Sequence, residues 1–196
     1  MKDLKVNHIR RKALRWLQNG ARGAVVITLA TVGWAAVAEA QLNSNSATVN
    51  LTATLPESLT IAATPASVNF TLAASGTAAG SAQISVTTAW ALSATRSSVT
   101  LYAFASSATA ALTDGSGHNI PAANLTGSPN SGAFSSFTGN SPFGTGTSLT
   151  IFTQAITAAN LNTARTDTLN LNINTTGLSL PVATYTGVLT IRAQAI

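Results

Sequence analysis

Several stretches of the chain alternate apolar and polar residues with a period of two. The clearest is residues 82–94, and the shared-parity positions there are Ala82, Ile84, Val86, Thr88, Trp90 and Leu92. Residues 168–175 alternate in the same way, as does the C-terminal run from Gly187 to Ile196. A period of two indicates strands with one buried face. The pattern therefore predicts an all-β protein.

Shorter runs bounded by Pro, Gly, Ser and Asn predict further strands at 59–61, 68–72, 99–104 and 149–152. In total the pattern predicts about eight to ten strands and no amphipathic helix after the N-terminal region. Residues 76–80 are predicted as a loop of small residues, and residues 111–121 as a tight hairpin around Asp114-Gly115. Trp90, in the middle of a strand, is predicted to anchor the core.

The first forty residues have the three parts of a secretory signal peptide. Seven basic residues precede an apolar stretch from Gly23 to Val37, and Ala38-Glu39-Ala40 is a small-x-small cleavage site. The apolar stretch is short for a membrane span, which needs about 20 residues. Residues 1–40 are therefore predicted to be a cleavable helical signal peptide, with no membrane span left after cleavage; an uncleaved anchor is the alternative.

Removing this leader removes the net charge. The whole chain carries +5, whereas residues 41–196 contain three Arg and three carboxylates, namely Arg96, Arg165, Arg192, Glu57, Asp114 and Asp167. No basic patch remains to neutralise phosphates, which argues against nucleic acid as a partner. So few charges leave little repulsion between copies, which favours a protein that works in an assembly or on a surface.

Residues 41–55 are predicted to be an N-terminal strand or donor arm, followed by a β-sandwich domain at 56–196. In this segment Ala47, Val49, Leu51 and Ala53 alternate with Thr and Asn, and Pro56 ends the run. The run can be the first strand of its own sheet, or an arm that adds to the sheet of a neighbour. Both interpretations stay open at this stage.

Little in the sequence suggests chemistry. Asp114, Ser116 and His118 lie close together, but a catalytic triad normally draws on separate segments of a rigid scaffold. We expect a hairpin in which Asp114 caps its own backbone, with no enzymatic activity. Residues 41–196 contain one His and no Cys, which predicts neither a metal site nor a cofactor. A hydrolase dependent on His118 is the remote alternative.

Residues 127–147 are rich in Gly, Ser and Pro and carry Phe134, Phe137 and Phe143. A loop of this length is usually functional or mobile. Two roles are open for its three rings: an exposed contact with a ligand, glycan or protein, or a cap over one end of the core.

The Ile84-to-Leu92 segment, the Thr-rich N-terminal run and the Leu180-Pro-Val-Ala-Thr-Tyr185-Thr-Gly-Val-Leu-Thr-Ile segment together resemble secreted bacterial surface proteins of the spore coat protein U and fimbrial-subunit kind. Tyr185 after the Leu-Pro turn is similar to the tyrosine corner of immunoglobulin-like folds. The resemblance implies an immunoglobulin-like antiparallel β-sandwich at the cell surface, in the periplasm or outside the cell. It also implies a structural or adhesive role through self-association or contact with other surface proteins, and assembly by β-strand addition.

Overall fold

The computed structural model of the chain describes residues 42–196, except for the side chains at positions 140–141 and 144–146. The predicted signal peptide lies outside the described residues. Twelve strands and one short 3-10 turn, Ala122–Asn124, are present among them. The strands are β1 Ser58–Thr64, β2 Thr77–Ala79, β3 Ile84–Ala91, β4 Ser98–Ala105, β5 Leu112–Thr113, β6 Asn119–Ile120, β7 Leu125–Pro129, β8 Ser135–Ser136, β9 Gly139–Ser141, β10 Gly144–Ala155, β11 Asn162–Asn174 and β12 Leu189–Ala195.

The strands form two larger sheets and one hairpin, and all their pairings are antiparallel. The first sheet has the order β1-β3-β11-β7-β8, with β2 also paired to β11. The second sheet has the order β12-β4-β10-β9, and β5 pairs with β6. The prediction of an all-β protein is thus confirmed. None of the helical structure described in residues 42–196 is long and apolar enough to cross a membrane.

One hydrophobic core takes side chains from both larger sheets. Ile84, Val86 and Trp90 of β3 are buried, as the alternation predicts, and they join Leu101 of β4 and Leu169 of β11 in this core. The indole N–H of Trp90 donates a hydrogen bond to the carbonyl oxygen of Asn160 at 2.8 Å, which satisfies its polar group. The prediction that Trp90 anchors the core is confirmed.

The structure differs from the predicted strands near the N-terminus. Residues 45–54 belong to no strand, so this run is not the first strand of either sheet. Residues 68–72 contribute only a single bridge, between Phe70 and Gly80, while Thr77–Ala79 in the predicted small-residue loop forms β2. Alternation indicates that one face will be buried, but it does not supply the neighbouring strand that a ladder requires.

The long loop predicted at residues 127–147 is largely paired. It overlaps the end of β7, contains β8 and β9, and ends inside β10. At the C-terminus only residues 189–195 form a strand, and residues 178–188 are irregular. Strands of two or three residues are too short to produce a periodic pattern, which is why the predicted count of eight to ten falls below the twelve observed.

A first prediction compares one leucine of the core with one of the N-terminal segment. Leu169 is 0% exposed, whereas Leu51 is 92% exposed. Leu169→Ala should lower the free energy of unfolding by about 2–5 kcal/mol, because it removes buried methyl groups and leaves a cavity. Leu51→Ala should change the unfolding of a single copy by less than about 0.5 kcal/mol. Chemical denaturation at a concentration that keeps copies separate measures both; comparable losses would place Leu51 in the core.

Candidate functional site

On one side of the molecule, each larger sheet ends in a strand whose outer edge is not paired with another strand among residues 42–196. β1 is the terminal strand of the first sheet and β12 the terminal strand of the second, and the two strands contact one another. Within residues 42–196 no strand pairs with the outer edge of either one. Such an edge presents free N–H and C=O groups that can pair with a further strand.

A cavity of about 910 Å³ opens between these two edges. We call it the edge groove. Its wall is predominantly apolar and includes Ile61, Ala63, Ile84, Leu125, Leu189 and Ile191. These side chains come from the inward-facing positions of both sheets, so the groove is an opening into the core between them.

The groove has two distinguishable ends. The upper end is where β1 begins, where residues 92–97 connect β3 to β4, and where Ile196 accepts backbone hydrogen bonds from Ser97 and Ser98. The lower end is where β1 ends at Thr64 and β12 begins at Leu189. Most of the cavity lies toward the lower end, because its wall includes Ala63 and Leu189 and also Ala105, the last residue of β4.

Residues 178–188, which we call the strap, cross the lower end. The hydroxyl of Tyr185 donates a hydrogen bond to the carbonyl oxygen of Pro181 at 3.0 Å. Thr186 and Thr113 exchange backbone hydrogen bonds of 2.9 Å in each direction, which ties the strap to the β5–β6 hairpin. A Cβ at Gly187 would overlap the carbonyl oxygen of Ala111, so this close approach requires glycine. Burial, and then the negative charge of Asp114, raise the pKa of Tyr185.

Residues 45–54, which we call the arm, are exposed along their whole length. Val49 is 80% exposed and Leu51 is 92% exposed, although both belong to the alternating apolar set. Ala47 and Ala53 complete that set and are exposed as well. The opposite positions hold Thr and Asn. The arm therefore has the sequence pattern of a half-buried strand, although none of its side chains is buried.

Glu57 fixes the chain between the arm and β1. Its Oε1 accepts hydrogen bonds from the backbone N–H of Ser93 at 2.7 Å and from Nε of Arg96 at 3.2 Å, and its Oε2 accepts one from Nη2 of Arg96 at 2.8 Å. The Arg96 hydrogen bond and then the Ser93 N–H lower the pKa of Glu57 from 4.5 to about 2. This contact, which we call the Glu57 clamp, holds the root of the arm at the upper end.

The three phenylalanines of residues 127–147 have three different environments. Phe137 is 0% exposed and belongs to the core, as a ring that caps the core would. Phe143 is half-buried on the second sheet, where it stacks with Phe104 and meets Tyr102 edge-on, and the guanidinium of Arg192 lies 4.5 Å from its ring centre. Phe134 alone is largely exposed, at 48%. The three rings thus do not form one contact surface.

Asp114 and His118 lie together in the β5–β6 hairpin. Asp114 Oδ1 accepts hydrogen bonds from the backbone N–H groups of Ser116 and His118, which is the backbone cap that the sequence predicts, and Oδ2 lies 2.7 Å from Nδ1 of His118. Burial acts to raise the pKa of Asp114, but these hydrogen bonds outweigh it and the pKa is lowered. Ser116 meets Asp114 through its backbone N–H, so the hairpin does not place these residues in the order of a triad.

The described residues contain no group of three or more His, Cys, Asp or Glu side chains that could hold a metal ion. The site that the geometry offers is the edge groove, whose apolar wall and free strand edges suit an extended peptide. No protein-family model matches the chain, and neither a curated protein nor a solved structure does.

Sequence reasoning identified the arm but not the groove or the Glu57 clamp. The parity of Leu189 and Ile191 indicated a buried face, yet alternation carries no information about a missing neighbour. Glu57 and Arg96 are 39 positions apart. Their only signal in the sequence was that each is an isolated charge in a chain with very few charges.

The Glu57 clamp should make the free energy of unfolding depend on pH in the acid range. Because the folded-state pKa is about 2, below the ordinary 4.5, the clamp's stabilisation is fully present above about pH 4.5 and is lost as the pH falls toward 2. The pKa of Glu57 measured by NMR should be near 2, and it should rise toward the ordinary value in Arg96→Gln, which keeps only the Ser93 N–H hydrogen bond. Glu57→Gln should flatten the stability profile between these two pH values. An ordinary Glu57 titration in the unmodified protein would contradict the clamp.

Two phenylalanines that are close in sequence should respond very differently to substitution. Phe137→Ser should lower the free energy of unfolding by about 3–5 kcal/mol, because it empties a core position. Phe134→Ser, at an exposed ring, should change it by less than about 0.5 kcal/mol. Thermal or chemical unfolding of the two variants checks this. Equal losses would mean that both rings are part of the core.

Proposed function

We propose that this protein is an exported, non-enzymatic structural or adhesive component of a bacterial surface whose copies assemble by β-strand addition. In this proposal the arm of one copy fills the edge groove of another. The observation that carries it is that one chain has both an unfilled apolar groove between two free strand edges and a free segment with the alternating pattern of the missing strand.

The proposal treats the fold as an incomplete immunoglobulin-like β-sandwich. Three observations support this. The two larger sheets share one core, and Trp90 is buried in β3. Tyr185 bonds to the backbone four residues upstream, as in a tyrosine corner. A complete sandwich would close the side where β1 and β12 are unpaired.

Burial of the arm would supply the driving force. Each of Val49 and Leu51 contributes roughly 1.5–3 kcal/mol when it moves from water into an apolar site. Ordering an extended segment opposes this by about 1–2 kcal/mol for each residue fixed. Hydrogen bonds to a free strand edge add about 0.5–1.5 kcal/mol each. Side-chain burial and backbone pairing are therefore both needed, and a groove beside a free strand edge offers both.

The sequence supports the proposed location. The predicted signal peptide at residues 1–40 supports export, and the absence of net charge in residues 41–196 suits close packing of copies. The resemblance to spore coat protein U and fimbrial subunits supports the cell surface, with the periplasm as a stage of export. Other surface proteins with a similar arm are further partners that the groove could accept.

A ligand- or glycan-binding module that uses residues 127–147 is the second candidate. The exposed ring of Phe134 favours it. The loop's other two aromatic rings do not, since Phe137 lies in the core and Phe143 packs on the second sheet. Loss of binding in Phe134→Ser without loss of assembly would support this module.

Charges placed on the two faces of the arm test the proposal. The double variant Val49→Asp/Leu51→Asp should abolish polymers, because it would carry two carboxylates into an apolar groove. Asn50→Asp/Thr52→Asp, which adds the same charge to the opposite face, should assemble nearly as the unmodified protein does. Light scattering and electron microscopy of protein expressed from the full-length chain provide the measurement.

The matched pair separates strand addition from general repulsion. Equal loss of assembly in both variants would indicate that charge alone keeps the copies apart. Undiminished assembly of Val49→Asp/Leu51→Asp would rule out the arm as the inserted strand. Addition of a synthetic peptide of residues 45–55 to that variant should form a complex with one peptide per copy.

A further inference from the structure

Four consecutive strap residues, 181–184, are exposed at the lower end of the edge groove. Val182 among them is fully exposed and lines the groove, whereas the strap around it packs on the core through Leu180 and Tyr185. Both ends of the strap are held in place, by Thr175 at Leu178 and by Thr113 at Thr186. An exposed apolar side chain on a segment that is fixed at both ends, next to an open groove, indicates a contact surface for another molecule.

The direction of the inserted arm decides what meets the strap. β1 runs from the upper to the lower end, and β12 runs from the lower to the upper end. An arm antiparallel to β12 therefore has its C-terminal end at the lower end, and an arm parallel to β12 has it at the upper end. Only the antiparallel arm brings the body of its own copy to the strap.

The antiparallel direction is the one that the edges favour. Pro65 follows β1 at the lower end, toward which most of the cavity lies, and it has no N–H to continue a ladder. β12 starts at that end and offers its whole length. Every strand pair in this sheet is antiparallel, and antiparallel pairing is slightly the more stable.

The antiparallel direction also requires a second copy. The arm is joined to β1 at the upper end, and between Ala53 and Ser58 only four residues intervene. They reach at most about 18 Å across five Cα spacings, whereas the length of β1 is about 20 Å. The Glu57 clamp fixes the last of them. An arm that lies antiparallel to β12 in the groove therefore belongs to a different molecule.

Resting on the proposed function, we propose that strap residues 181–184 form a second contact surface, which receives the upper end of the copy whose arm fills the groove. The short, clamped root of that arm holds residues 92–97 and Ile196 of the donor close to Val182 of the acceptor. Ile196 is 60% exposed and offers an apolar partner. The contact joins two different surfaces, so it repeats head to tail and produces an open filament.

The opposite direction predicts a different assembly. An arm parallel to β12 would place two upper ends against each other, and two copies could exchange arms in a closed dimer. Val182 would then meet the N-terminal end of the arm and not the body of another copy. The two arrangements thus differ in which residues of neighbouring copies meet.

Cross-linking distinguishes them, because the unmodified chain has no Cys. In the full chain, Ala94→Cys/Val182→Cys treated with a flexible bis-maleimide should produce a ladder of covalent multimers on a denaturing gel. Each single variant should stay monomeric on that gel, since Ala94 and Val182 lie at opposite ends. Ala94→Cys/Thr150→Cys, with the second thiol exposed within the sheet, should give no ladder.

Each outcome decides the matter. Covalent dimers from Ala94→Cys alone would overturn the proposal in favour of the reciprocal exchange. Filaments without a ladder would overturn the strap contact but leave strand addition in place. Absence of polymers in the unmodified protein would refute the proposed function, and this contact with it. In addition, Val182→Asp should lower the dissociation temperature of the filament without changing the melting temperature of the separate copy.

Discussion

The organisation of the described part of this protein, residues 42–196, depends on two strand edges that have no partner strand there. β1 and β12 lie on the same side of the molecule, and the core reaches the surface between them. While the groove is empty, the backbone groups at such an edge form hydrogen bonds only with water. Contact with that water does not stabilise the apolar wall. Any extended segment with apolar side chains at alternate positions would therefore gain free energy by filling the groove.

The sequence predicts the parts of the fold that are long and buried. β3, β4, β12 and the second half of β11 were predicted because each has mainly apolar residues at every second position. Gly127 illustrates a position whose structure the sequence pattern did not predict. Its composition suggested a loop, but it lies in β7, where a Cβ would approach Leu149 Cδ2 to 2.5 Å. The glycine there serves close packing between strands, which no local pattern reveals.

Of the two parts of the candidate site, the sequence predicted the arm but not the edge groove. The arm was recognisable because its alternation is local, and two interpretations of it were open. The groove lies between two strand edges that have no neighbouring strand among residues 42–196, and the residues of β1 and β12 in its wall have an ordinary core pattern. The alternation of residues 45–54 could not show that they belong to no strand of either sheet, since the same pattern suits a first strand and a free arm. Phe137 and Phe134 were likewise indistinguishable until their depths were known.

Because the chain has so few charges, the specificity of the proposed assembly depends on the register of the arm. Among the three Arg and three carboxylates of residues 41–196, Glu57 pairs with Arg96, Arg165 with Asp167, and Arg192 lies over Phe143. Little charge is left to repel or to orient a second copy. In the proposed assembly, however, a slip of one residue would turn Asn50 and Thr52 into the apolar groove and Val49 and Leu51 into water. In the proposed assembly, orientation and register would then come from the alternation of the arm and from the clamp at its root, so specificity would lie in the backbone and its pattern.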